Sequence, residues 1–147
     1  MPRRHVALLM LLVILQGMFG MWTVTLKLWP QVVTLHLLGG MTTASLLWLL
    51  ALRMGWPRPR VRGEGGTAIG LVALVAVAMQ IALGGWTTSN YAALACPDFP
   101  TCQMQWLPNT DFARGFNVFQ EVGPNYLGGL MDNAARVAIH LTHRAGA

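Results

Sequence analysis

Three histidines stand in apolar stretches of a 147-residue chain: His36 in VVTLHLLGG, and His140 and His143 in RVAIHLTHRAG. An ionisable ring in such surroundings is costly and usually faces a cavity or a partner. Arg136, His140 and His143 follow one another at i, i+4 and i+7, which is one face of a helix, while Arg144 is turned about 100 degrees from His143. Neutral imidazole ligates haem iron, helical bundles build such sites from histidines on facing helices, and arginine supplies the bidentate partner that porphyrin propionates need. The alternative is a histidine that only hydrogen-bonds between helices. Zinc or copper is disfavoured, because the thiols lie elsewhere and no pair of carboxylates or cysteines at ligand spacing joins the histidines. His5, in the basic N-terminal cluster, carries no functional reading.

Two further residues could do chemistry. Cys96 and Cys102 enclose the five residues PDFPT, and the two prolines stiffen the ring. Closing it constrains the unfolded chain by about 2 kcal/mol, so a structural disulfide is the default. A redox-active pair trading electrons with an external thiol is the alternative, left open because reactivity depends on thiolate pKa and exposure. Downstream, Trp106, Phe112, Phe116 and Phe119 among polar residues suit either an amphipathic segment on the bilayer surface or an ordinary packed loop.

The elements that hold these side chains belong in a membrane. At 54% hydrophobic and 10% charged, with mean hydropathy +0.50, the chain has too little polar surface to cover a soluble globule. Bunching of the apolar residues excludes a disordered tail, a secreted disulfide mini-protein and a nucleic-acid-binding domain, and the net charge of +5 comes from short basic clusters beside apolar runs. Runs at 6–24, 32–52 and 67–86 can each cross a bilayer, which takes roughly 20 residues. A fourth stretch, 133–147, would rise only about 22 Å and reads as a cut-off helix, so the chain is expected to be a fragment of a larger protein. The first run is too long for a signal-peptide core and no small-residue cleavage site closes it. The expected fold class is all-α, a polytopic transmembrane helix bundle in the bacterial inner membrane.

Arg3, Arg4, Arg53, Arg58, Arg60 and Arg62 fall on one side of these spans, which marks that side as cytoplasmic. The other side holds the 25–31 connection and a long 87–132 loop, with both cysteines and with Asp98, Asp111, Glu121 and Asp132. In a bacterium this is the periplasm, where disulfides persist.

The chain also repeats itself. Gln16, Gly20, Trp22 and Thr23 match Gln80, Gly84, Trp86 and Thr87 at an offset of 64 residues, and His36 and Gly39 match His143 and Gly146 at an offset of 107. The second copy therefore carries a larger outer loop. Each unit is a helix pair: one helix with Gln and Gly, the next with an inward histidine. The glycines suit close helix contact in lipid, and each Gln can hydrogen-bond across helices.

Together, QGMFGMWTVTLKLWPQVVTLHLLGG, QIALGGWTTSNYAALA, CPDFPTC and RVAIHLTHR resemble the heme A synthase family, over nearly the whole chain. The resemblance implies about eight membrane helices in two four-helix halves related by duplication, each half with a histidine pair for one haem. On that pattern residues 1–52 are the second helix pair of the first bundle and 53–66 a cytoplasmic Arg-rich linker. Residues 67–147 then start the second bundle, with the periplasmic loop 87–132 and a truncated last helix. His36 resembles a haem-iron ligand of the first half and His143, followed by Arg144, one of the second, with His140, Arg136 and Arg144 as candidate pocket residues. The family carries a glutamate three residues before the His-Arg pair of its first half, and His140 holds the corresponding place in the second copy. Cys96 and Cys102 match the family's paired outer-loop cysteines.

The implied activity is oxidation of haem O to haem A for cytochrome oxidase, a ring methyl becoming a formyl group through hydroxylation with water as the oxygen source. Haem O is then the substrate, haem b a redox cofactor, a quinone the electron acceptor and a haem O synthase a candidate partner, in a membrane protein that could form homo-oligomers. Because His36 and His143 fall in different halves, the 147 residues alone are expected to complete neither histidine pair and to be inactive. Three other readings use the same residues: a b-type haem electron-transfer module, a membrane thiol oxidoreductase working through Cys96 and Cys102, and a structural subunit of an oxidase.

Overall fold

A computed structural model describes residues 3–55, 66–123 and 125–147. Arg58, Arg60 and Arg62, and with them most of the expected linker, lie outside the described residues. Five helices follow in chain order: α1 (Arg3–Thr25), α2 (Pro30–Arg53), α3 (Gly66–Ser89), the single turn α4 (Phe112–Gly115) and α5 (Asn133–Gly146). No β-strand occurs among the described residues, where an isolated bridge pairs Cys102 with Gln105.

α1, α2 and α3 are each long and apolar enough to cross a membrane. Side chains such as Leu11, Ile14, Leu47 and Val72 lie open on their surfaces, as lipid-facing residues do. α1 packs on α2, α2 on α3 and α3 on α5. The tight α1–α2 connection puts Lys27 and Leu28 in the left-handed region, at φ 51 and 67, and Pro30 opens α2 where a missing N–H costs nothing. The third run reaches three residues beyond its expected end at Trp86. The added residues are polar but keep their hydroxyls satisfied within the helix: Thr87 Oγ1 donates to the Leu83 carbonyl at 2.7 Å and Ser89 Oγ to that of Trp86 at 3.3 Å.

The core lies at the end of the helix bundle that carries the 87–132 loop. Trp86, Ala92, Met131, Ala135 and Ile139 form one cluster, against which Phe116 packs; Ala95, Cys96, Cys102 and Val137 form another, closed by Leu141. The 87–132 loop is thus a folded cap. The Trp86 indole N–H donates to the Gly115 carbonyl at 2.8 Å, Asp111 and Asp132 cap α4 and α5, and the Tyr126 amide donates to the Lys27 carbonyl at 3.1 Å. Of the loop's aromatics, Phe116 packs inward, while Trp106 before α4, Phe112 at its first position and Phe119 after it are exposed.

Candidate functional site

Where α3 meets α5, a glycine bares the helix for a histidine ring. A Cβ on Gly84 would lie 3.3 Å from His143 Cε1. One turn earlier on α3, the Gln80 amide nitrogen donates to the His143 carbonyl at 2.8 Å and stands 2.9 Å from Nδ1 of the same residue. The carbonyl fixes that nitrogen as a donor, so in this arrangement Nδ1 accepts and the ring proton sits on Nε2. Gly146 makes room for the amide: a Cβ there would overlap Gln80 Oε1.

The first helix pair repeats the arrangement. A Cβ on Gly20 would lie 3.2 Å from His36 Cε1, and one on Gly39 would overlap the Gln16 amide nitrogen. The amide is turned the other way here. Gln16 Oε1 and His36 Nδ1 are both buried with no hydrogen-bond partner, a state that protein interiors seldom keep.

His36 and His143 line one cavity of about 800 Å³, together with His140, Met41, Ile81 and Gly84. Its walls are mostly apolar, and its size is that of a small-molecule site. Residues that the repeat assigns to separate copies therefore face a common space. His140 reaches it with both nitrogens engaged: Nδ1 donates to the Ala92 carbonyl at 2.9 Å, which leaves Nε2 to accept from Arg144 at 3.2 Å.

The two arginines are not among the residues lining this cavity. Arg136 donates to the Gly128 carbonyl at 3.1 Å, with its Nε buried and unpartnered. Arg144 gathers the carbonyls of Thr101, Cys96 and Asp98 at 2.9, 3.2 and 3.0 Å and lies over the Phe99 ring. It thereby holds the loop that the Cys96–Cys102 disulfide closes. Within that loop the Thr101 hydroxyl and the backbone amides of Met104 and Gln103 donate to Asp98, holding its carboxyl below the usual range against the opposing effect of partial burial.

Residues 1–147 match the family described as Cytochrome oxidase assembly protein, COX15-CtaA. The chain belongs to this family. It is 45% identical over 152 residues to the Heme A synthase of Shewanella oneidensis, covering 99% of this chain and 45% of that protein. The Heme A synthase of Halalkalibacterium halodurans is 29% identical over 127 residues, covering 82% of this chain and 42% of that protein. The chain thus spans less than half the length of these curated relatives. No solved structure matches it at a significant level. Family and helices together make this a multi-pass integral membrane protein.

Two polar centres of this COX15-CtaA chain escaped the sequence reading. His5 is 7% exposed, its Nε2 2.9 Å from the Leu46 carbonyl and its Nδ1 3.1 Å from the Arg53 guanidinium. It joins the start of α1 to the end of α2. Asn90 is fully buried: its amide donates to the Trp86 carbonyl at 3.0 Å and its oxygen accepts from Tyr126 Oη at 2.6 Å and Gln120 Nε2 at 3.1 Å. Neither residue sits in a spaced motif, so neither carries a sequence signal beyond polar type.

Proposed function

We propose that this chain is part of a heme A synthase, in which His36 and His143 are haem-iron ligands, one for each half of the duplicated bundle. The observation that carries the reading is the twice-built seat of glutamine, glycine and histidine opening on one apolar cavity, in a family that includes proteins named Heme A synthase. Among the described residues no three of His, Cys, Asp and Glu converge. Single histidines on separate helices suit axial ligation of a flat macrocycle better than a chelated ion. Nε2 of His36 and of His143 has no hydrogen-bond partner among the described residues, and Gly84 and Gly85 are among the residues lining the cavity. A bound haem would supply the iron redox chemistry, while the chain orients it, excludes water and holds its axial ligands.

On this reading the substrate is haem O, whose ring methyl is oxidised to a formyl group, with haem b as redox cofactor and a quinone as electron acceptor. The protein would lie in the bacterial inner membrane, receiving haem O from its synthase, either alone or as a homo-oligomer. Segments 1–52 and 67–147 would be the end of one bundle and the start of another, joined by the linker 53–66, with the partner ligand of each histidine on helices outside this chain.

The test is haem extraction and chromatography from cells that supply haem O and express the full-length gene product. Haem A is expected, and it should be lost in both His36→Ala and His143→Ala. Bound haem b without haem A, from a folded protein, would replace this reading with that of an electron-transfer module.

A further inference from the structure

Each histidine seat is built from four positions: Gln16, Gly20, His36 and Gly39 in the first copy, Gln80, Gly84, His143 and Gly146 in the second. Close helix packing accounts for the glycines. It does not account for a primary amide that both copies place where a Cβ of the histidine helix would otherwise be. In the second copy the amide nitrogen faces the ring and its oxygen faces Gly146; in the first its nitrogen faces Gly39. That orientation leaves Gln16 Oε1, an acceptor, and His36 Nδ1, able to carry a proton, as two buried orphans of complementary type.

We propose that Gln16 and Gln80 are positioning residues for His36 and His143, acting through Nδ1. The amide oxygen accepts the Nδ1–H, which fixes the angle of the ring and leaves the lone pair of Nε2 directed to the cavity. In the first copy the two orphans supply that bond. In the second, the Gln80 amide both leaves the His143 carbonyl, to which its nitrogen now donates, and turns, so that Oε1 meets Nδ1 without facing that carbonyl oxygen. An acceptor at Nδ1 makes the other ring nitrogen a more basic ligand, so the amide tunes whatever iron that nitrogen holds. The inference rests on the reading of His36 and His143 as haem ligands.

The experiment is a reductive titration, followed optically, of the haem-loaded full-length gene product and its Gln80 and Gln16 variants. Gln80→Glu strengthens the acceptor and should shift one haem to lower potential; Gln80→Met, which keeps volume without an acceptor, should shift the same haem upward. The Gln16 pair should move the other haem. Opposite shifts from two variants of similar size are not produced by a packing role, and if the Met variant does not fold, the downward shift in Gln80→Glu decides alone. Unchanged potentials, or shifts in one direction for both variants, would overturn the proposal. Absence of any bis-histidine haem spectrum from the unsubstituted protein would overturn the ligand reading itself, and this proposal with it.

Discussion

Arg144 turns away from the cavity that its neighbour His143 lines, and its guanidinium satisfies three carbonyls of an irregular loop. Hydrogen bonds from a charged donor are among the stronger ones, so Arg144→Ala should destabilise the purified protein by about 3 kcal/mol in denaturant unfolding. Arg144→Lys should recover less than half of that, because an ammonium lacks the planar fork that reaches several carbonyls at once. Asp98 gives a pH test of the same loop. Its carboxyl is held below the ordinary aspartate range, so the stabilisation it adds is complete above that range and is lost as pH falls through the lowered folded value. Hydrogen exchange should show the Gln103 and Met104 amides equally protected from neutral pH down to about 4, with protection falling only below that. The histidines were legible in the sequence because an imidazole in an apolar run is rare and the repeat gave its position twice. The destination of the arginines was not legible. A guanidinium can serve a propionate or a backbone carbonyl, and which one it meets depends on where the 96–101 backbone returns.

At the scale of elements, α1, α2 and α3 could be read directly, because hydrophobic length decides a membrane span almost without regard to tertiary context. The outer loop could not. Its order comes from single polar residues at irregular spacing, above all Asn90, which ties the end of α3 to Tyr126 and Gln120. Tyr126→Phe removes one buried donor and should cost about 1 kcal/mol in unfolding, while Asn90→Ala strands several groups at once and should cost about 3 kcal/mol. Burial also raises the Tyr126 hydroxyl above the usual phenol range, so it remains a donor at neutral pH. The disulfide loop is the second surprise at this scale. The loop lies alongside α5, packed on Val137 and Leu141 and reached by the Arg144 guanidinium. The cluster of Ala95, Cys96, Cys102 and Val137 buries its inner side, while Phe99 and Met104 stay exposed.

For the whole molecule, the arginine asymmetry predicts which ends face the cytoplasm, and one labelling experiment checks it. A membrane-impermeant maleimide should modify Val118→Cys in intact cells whose outer barrier has been opened, and Met54→Cys only after the inner membrane is breached. Reversed labelling would invert the topology. A last consequence concerns how such a chain enters the bilayer. Three of its helices are apolar enough to leave the translocon unaided, whereas Asn133–Gly146 carries two arginines and two histidines, each arginine costing about 3 kcal/mol at mid-membrane. In the folded protein each of the four meets a protein partner, though Arg136 keeps its Nε unpaired: Gly128 for Arg136, Ala92 for His140, Gln80 for His143 and the disulfide loop for Arg144. The outer loop thus acts as a private solvent for the helix that follows it. Biogenesis would then have an order, in which α1, α2 and α3 insert as they are made and α5 docks once the preceding loop has folded and closed its disulfide.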